Sequence, residues 1–353
     1  MNKIPIHSVI MAGGMGKRFW PVSRKNFPKQ IMDVDGNGPM IKQTYDRILQ
    51  FTKAENIWIV TNENQKKLIK PILPEIPEDH YVIEPSGKNT APCIGLAAIH
   101  ILEEDENAIM GVFPADHWIG DTEKFFEDVK LGYEQVVKHN CLLTFGIKPT
   151  FPSTGYGYIQ FDIAISEKNG RAHSVKTFAE KPHPELAEKF IKSGDFLWNS
   201  GMFMWKAKTI HEEMAVLMPE LYHTLERIRR CGCTENLWKT IRSQSIDYGI
   251  MEHSERVWVV ISSFSWSDLG SWDAMYDQLE KDENNNVTNA ESIFIQSKNN
   301  LVHSQRKKTV IFGLDDIIVV NTDDVTMVMP RGQSQAVKTI VEELEKKDKK
   351  EYL

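Results

Sequence analysis

Five cationic side chains, Lys17, Arg18, Arg24, Lys25 and Lys29, follow directly on three glycines, Gly13, Gly14 and Gly16. No Asp or Glu precedes Asp33, and the glycines end an apolar run, Val9 to Ala12. A buried strand that opens into a glycine-rich, basic loop suits a phosphate chain. Backbone N–H groups approach the ligand where side chains are absent, and Lys and Arg neutralise it. Gly16-Lys17 is followed by Arg18, not by the Ser or Thr of a Walker A loop. Position 19 is Phe19, not the third glycine of a dinucleotide fingerprint.

Acidic and amide residues supply the rest of the chemistry. Gly111-Val-Phe-Pro-Ala-Asp116 sets a carboxylate just past an apolar strand, where it can hold Mg²⁺ against a triphosphate. Trp266-Ser-Asp268-Leu-Gly offers a second carboxylate, otherwise a turn residue. Ser86, Asn89 and Thr90, in Ile83-Glu-Pro-Ser-Gly-Lys-Asn-Thr90, are turn and N-cap types. Their hydroxyl and amide groups also suit a purine edge. Glu180-Lys181-Pro182 pairs an acid with a base, in isolation an exposed ion pair. In Trp198-Asn-Ser-Gly201, Asn199 can both donate and accept, and Gly201 permits close approach.

The elements that must carry these residues read as alternating strands and helices. Strands are expected at Ser8–Ala12, Ile57–Thr61, Tyr81–Glu84, Ala108–Pro114 and Leu142–Ile147. Helices are expected at Ile41–Phe51, Gln65–Lys70, Thr90–Glu104 and Phe125–His139. This alternation predicts an α/β fold, a Rossmann-like mixed, mostly parallel sheet with helices on both faces. Ligands in such sheets bind beyond the carboxyl ends of the strands, where Gly13, Pro85 and Asp116 fall. From about residue 150 longer antiparallel strands are expected, at Gly155–Asp162 and Val175–Ala179. Helix at Leu186–Ser193, strand at Gly201–Trp205 and a helical stretch Ile210–Arg230, interrupted at Pro219, follow. Past the polar linker Asp282–Asn286 come five short β-rich runs and a helix at Ser334–Lys347, hence a small C-terminal β domain. The expected domains are 1–283 and 284–353.

Composition excludes several classes. The 42 Lys and Arg against 49 Asp and Glu leave a formal net charge of −7, unsuited to sequence-independent nucleic-acid binding. No apolar run is long enough for a transmembrane helix and Met1–His7 is no signal peptide, so neither a membrane nor a secretory role is expected. The four cysteines, Cys93, Cys141, Cys231 and Cys233, form no zinc motif and read as reduced thiols of a cytoplasmic protein. The histidines show no metalloprotease spacing, and no Gly-x-Ser-x-Gly elbow occurs.

The run Gly13-Gly-x-Gly-x-Arg18-Phe-Trp-Pro-x-Ser-Arg24, followed by Pro28-Lys-Gln30, resembles the signature of the sugar-1-phosphate nucleotidyltransferases. Its spelling is most similar to the mannose-1-phosphate guanylyltransferase branch. Phe113-Pro-Ala-Asp-His117, Phe178-Ala-Glu-Lys-Pro182 and Trp198-Asn-Ser-Gly-Met-Phe203 match motifs of the same family. The resemblance implies GTP, mannose 1-phosphate, GDP-mannose and diphosphate as the molecules handled, and Mg²⁺ as the cofactor. It places Ala12, Gly13, Gly14, Gly16, Arg18 and Lys29 on the nucleotide phosphates. Ser86, Asn89 and Thr90 fall on the guanine, where the family commonly has Arg in place of Lys88. Asp116 contacts the nucleotide and, with Asp268, holds the metal. Gly157, Glu180, Lys181 and Asn199 meet the sugar phosphate. Arg18, Lys29 and Lys181 carry the catalytic charge. The resemblance further implies a left-handed β-helix fragment for the C-terminal β domain and a homodimer. Longer relatives carry a cupin domain with phosphomannose isomerase activity, and none is expected in a chain ending at Leu353. Transferases of another base or sugar, such as thymidylyl, uridylyl or heptose-1-phosphate enzymes, remain alternatives. So does a non-catalytic nucleotide-sugar sensor.

Overall fold

Val9 and Ile10 lie fully buried in the first strand, and the sheet grows outward from there. The protein is described by a computed structural model covering residues 5–14, 16–167, 170–179, 181–232 and 234–353. It divides into two compact units. One comprises Met1–Gly13, Thr44–Ala115 and Ile119–Trp266, the other Gly14–Gln43, Asp116–Trp118 and Ser267–Leu353.

The first unit is built on nine strands: β1 (Ile6–Met11), β2 (Ile57–Thr61), β3 (Tyr81–Ile83), β4 (Ile109–Pro114), β5 (Leu142–Ile147), β6 (Tyr158–Glu167), β7 (Ala172–Ala179), β8 (Phe196–Lys206) and β9 (Val257–Ile261). Their order is β3-β2-β1-β4-β8-β5-β9-β7-β6. Strands β1 to β4 run parallel to one another, with Ser8 opposite Ile57 and Gly111. Strand β8 is antiparallel to both β4 and β5, and β9 is parallel to β5. The mixed α/β sheet of the sequence reading is thus present, and the long strands β6 and β7 are part of it. The Val-Trp-Val-Val-Ile run of β9 was not among the expected strands, although it lies between β5 and β7. Its register is set by the pairing of Val257 with Leu142 and of Trp258 with Ser174.

Helix Thr90–Glu104 has the bounds its apolar spacing predicts, and Asn89 stands at its N-cap. It buries Ile94, Ala97, Ala98 and Ile101. Gly95 lets Leu225 and Met214 of the neighbouring helices approach. Those helices, Ala207–Leu217 and Pro219–Cys231, meet at the proline that broke the expected helical stretch. Trp205, Trp238, Phe203 and Leu225 fill this core, each 0 or 1% exposed. Each such side chain is worth about 1.5–3 kcal/mol of burial.

In the second unit the five short β runs become β11 (Ser292–Ile295), β12 (Leu301–Ser304), β13 (Thr309–Phe312), β14 (Ile317–Asn321) and β15 (Thr326–Pro330), preceded by a two-residue strand the sequence reading did not expect, β10 (Val287–Thr288). Strands β10, β12 and β14 pair in parallel and β15 closes the sheet antiparallel. Strands β11 and β13 form a second parallel pair. Asn300 Nδ2 donates to Asn286 Oδ1 at 3.1 Å, linking successive coils. Phe19, Trp20, Met32, Trp272, Leu301, Ile318, Val320 and Val341 share one core, so the basic segment is packed by the C-terminal strands and helix. Among the described residues, no helix is long and apolar enough to cross a membrane.

Candidate active site

Within the second unit the cations and carboxylates of the sequence reading meet at Lys29. Its side chain is only 6% exposed, although ammonium groups are rarely buried unpaired. Nζ donates to Asp116 Oδ2 at 2.7 Å, to the Asp116 carbonyl at 3.1 Å and to the Asp268 carbonyl at 2.7 Å. Lys29 lies in a short helical turn, Lys29–Ile31, entered from Pro28. Gly16 sits against its stem. Gly16 has φ 68°, and a Cβ there would stand 2.4 Å from Lys29 Cβ. The position therefore needs glycine both for its left-handed backbone and for the close approach. Burial opposes ionisation of Asp116, but the charges of Lys29 and His117 and the Lys29 hydrogen bond outweigh it and keep its carboxyl below the ordinary range.

Asp268 opens a tight turn in which its Oδ1 accepts the Gly270 N–H at 3.0 Å. A Cβ on Gly270 would lie 2.8 Å from Asp268 Oδ2 and 3.2 Å from Arg18 Nη1, so guanidinium and carboxylate flank this glycine. Arg18 Nη1 also donates to Gln335 Oε1 at 3.3 Å. The other basic residues divide. Arg24 makes a two-pronged pair with Asp324, both contacts 2.7 Å, and Lys17 bonds Glu345 at 3.1 Å. These two cations are thus engaged by the C-terminal region, while Arg18, Lys29, Asp116 and Asp268 form one group.

The fit to a hard divalent cation follows from the donor set. The Lys29 ammonium bonds the Asp116 carboxylate and the Asp268 main-chain carbonyl, the Asp268 carboxylate lies at Gly270 beside Arg18, and carboxylate oxygens are the donors Mg²⁺ takes. Among the described residues no cluster of three or more His, Cys, Asp or Glu could hold a metal alone.

The first unit holds the base and sugar candidates. Ala12 donates its N–H to the Val60 carbonyl at 2.8 Å, so the strand is still paired where the glycines begin. Next to Gly13 lies Glu84, which the sequence reading passed over. A Cβ on Gly13 would stand 3.2 Å from Glu84 Oε2. Glu84 is 5% exposed, and its Oε1 has no partner among the described residues. Burial pushes its carboxyl up to about 7. The available signal was an acid at the carboxyl end of β3, ahead of Pro85. Asn89 has φ 71° and caps Thr90 N–H at 2.8 Å. The Ser86 carbonyl accepts from Trp238 Nε1 at 2.7 Å, and Thr90 Oγ1 accepts the Ile246 N–H at 2.8 Å. Thr90 is thus engaged in holding the loop.

Gly157 and Asn199 are brought together, the Asn199 N–H donating to the Gly157 carbonyl at 2.8 Å. The Asn-Ser-Gly motif forms an irregularity in β8. Thr144 pairs with Phe203 and Gly146 with Asn199, so β8 carries extra residues here. Gly201, at φ 70°, makes the bend, and such bulges re-aim side chains. Lys181 is exposed with φ 45°, two residues beyond the end of β7. Glu180 lies outside the described residues.

A buried lysine held by one aspartate carboxylate and the carbonyl of a second, in a segment of glycines and cations, is chemistry suited to phosphate groups, and comparisons with known proteins specify the class. A family model described as nucleotidyl transferase matches residues 7–285. A second, described as a MannoseP isomerase/GMP-like beta-helix domain, matches 290–344. The mannose-1-phosphate guanylyltransferase of Klebsiella pneumoniae is 34% identical over 98% of this chain and 75% of that protein. The Salmonella typhimurium protein named mannose-1-phosphate guanylyltransferase RfbM is 35% identical over 98% of this chain and 73% of its own. A crystal structure from Thermus thermophilus, described as a mannose-1-phosphate geranyltransferase, has TM-score 0.88 at 28% identity and covers 97% of this chain and 100% of that one. The chain belongs to the nucleotidyl transferase family, in the branch that contains these mannose-1-phosphate guanylyltransferases.

Proposed function

We propose that this protein is a guanylyltransferase that converts GTP and α-D-mannose 1-phosphate into GDP-mannose and diphosphate. The observation that carries the reading is the buried Lys29 bonded to the Asp116 carboxylate and the Asp268 carbonyl, in a chain similar to such enzymes over 98% of its length. A phosphate oxygen of the sugar phosphate attacks the α-phosphorus of GTP in line. The bond to the β-phosphate oxygen breaks and diphosphate leaves with the electron pair. A phosphate monoester dianion is already nucleophilic, so no covalent nucleophile and no general base is needed.

Catalysis is then positioning and charge neutralisation. Ala12, Gly13, Gly14 and Gly16 line the phosphate chain, and Arg18 and Lys29 offset the charge that builds on the leaving diphosphate. Lys29 must exchange part of its present bonding to Asp116 for phosphate oxygens. Ser86, Asn89 and Thr90 shape the base loop. Buried Glu84, whose Oε1 has no partner among the described residues, would in its ionised form accept from the N1–H and N2 amino donors of guanine, which a purine without that pair would leave unmet. Gly157, Glu180 and Asn199 meet the hexose, and Lys181 orients the attacking phosphate. Asp116 and Asp268 would hold Mg²⁺, which supplies electrophilic polarisation of phosphoryl oxygens when bound. Action in the cytoplasm as a homodimer completes the reading. The exposed apolar row Ile293, Ile295, Val310 and Phe312 on β11 and β13 supports self-association.

The test is diphosphate release with each nucleoside triphosphate, each hexose 1-phosphate and Mg²⁺. GTP with mannose 1-phosphate should turn over fastest, Asp268→Asn should lose at least tenfold, and EDTA should abolish turnover. No turnover with any pair, alongside tight GDP-mannose binding, would make the protein a sensor instead.

A further inference from the structure

Asn199 is not a lone sugar ligand. Its Oδ1 accepts the Gly201 N–H at 3.1 Å, with Thr144 Oγ1 at 3.2 Å, and its Nδ2 donates to Asp247 Oδ1 at 2.8 Å. Turning the amide over would set its nitrogen against the Gly201 N–H and its oxygen against a carboxylate. The acceptor on one side and the donor on the other therefore select one orientation.

Asp247 stands at the end of a segment that is fastened elsewhere. Trp238 Nε1 bonds the Ser86 carbonyl, the Gln244 N–H donates to the Lys88 carbonyl at 3.1 Å, and the Ala91 N–H donates to the Gln244 carbonyl at 3.1 Å. Ile246, adjacent to Asp247, donates to Thr90 Oγ1. A helical turn, Asp247–Met251, follows with Gly249 and Ile250 buried. The chain carrying Asp247 is thus held on both sides of it, and the same segment grips the base loop.

We propose that Asp247 is a positioning residue for the sugar-phosphate substrate, fixing the Asn199 amide through a strap, residues 238–247, that also braces the base loop. This rests on the guanylyltransferase reading. Asp247 need not touch the sugar. It acts through Asn199, and its contribution appears in hexose 1-phosphate recognition.

The experiment uses the full chain and steady-state diphosphate release. Asp247→Ala should raise KM for mannose 1-phosphate about tenfold. Asp247→Asn, which keeps an acceptor oxygen for the Asn199 amide, should return KM to within about threefold of wild type. GTP affinity, measured by equilibrium binding without sugar phosphate, should stay within twofold in both variants. In an Asn199→Ala background the Asp247→Ala effect on KM should vanish. An unchanged KM in Asp247→Ala, an equal loss of GTP binding, or an undiminished effect in the Asn199→Ala background would overturn the inference. If Asp247→Ala does not fold, an Asp247→Asn enzyme with at least tenfold raised KM and normal GTP binding would also overturn it, and a near-normal KM would support it. Failure of the functional reading is distinct, because the wild-type protein would then show no turnover.

Discussion

Glu84→Gln isolates the cost of a carboxylate buried beside Gly13. Glu84 is 5% exposed, and burial raises its folded-state pKa from the ordinary 4.5 to about 7. The native state therefore holds a proton that the unfolded chain releases. A group raised in this way stabilises the fold relative to its ionised form below 4.5 and loses that contribution as pH rises toward about 7. The full gap corresponds to roughly 3 kcal/mol at about 1.4 kcal/mol per pH unit. Between pH 5 and pH 8 the wild type should lose about 2.5 kcal/mol that the Gln variant, with nothing to ionise, keeps. The swapped amide adds an offset, but a pH-independent one. Urea unfolding of both proteins, followed by tryptophan fluorescence at pH 5 to 8, reads the difference directly. A variant-minus-wild-type difference that stays flat within about 0.5 kcal/mol across this range would refute the reasoning, because it would mean that Glu84 is solvated or paired in the native state.

Gly16→Ala should cost about 2 kcal/mol of stability and at least tenfold in kcat/KM with GTP, since a left-handed backbone and a displaced Lys29 stem act together. Thermal unfolding and diphosphate release check the two parts, and a wild-type melting point with wild-type turnover would contradict it. The Arg24–Asp324 pair should matter modestly. Asp324 is held down to about 2 chiefly by its hydrogen bond to Arg24, so its contribution is present above the ordinary 3.8 and is lost as pH falls through about 2. Asp324 is 42% exposed, so solvent screening limits the contribution to about 1 kcal/mol or less. Asp324→Asn should lower stability at pH 7 by that amount, less so in 0.5 M salt, as salt-dependent denaturation curves would show.

The glycine loop, the two aspartates and the Glu-Lys and Asn-Ser-Gly motifs stood out in the sequence as candidates because their patterns are local. Glycines, charges and strand ends sit within a few residues of one another in the chain, and apolar periodicity marks the elements beside them. Helix Thr90–Glu104 and the break at Pro219 were readable for the same reason. Strand β9 was less so, since a short apolar run is placed in a sheet by its partners. Glu84 drew no reading from the sequence, because an acid before a proline becomes unusual only when the fold buries it. Asp247 carried no signal at all, because its meaning lies in a 2.8 Å contact with a residue 48 positions away.

By itself the sequence determined the α/β class and the family, since these rest on residue types at short spacing. Only the tertiary structure decided how the cations are used. Lys17 and Arg24 meet acids of the C-terminal region, 328 and 300 residues distant, whereas Lys29 is enclosed by Asp116 and Asp268. The physical reason is that a charge does not specify its partner along the chain. Burial and the packing of Phe19, Trp20 and Trp272 in one core bring those partners within hydrogen-bond reach.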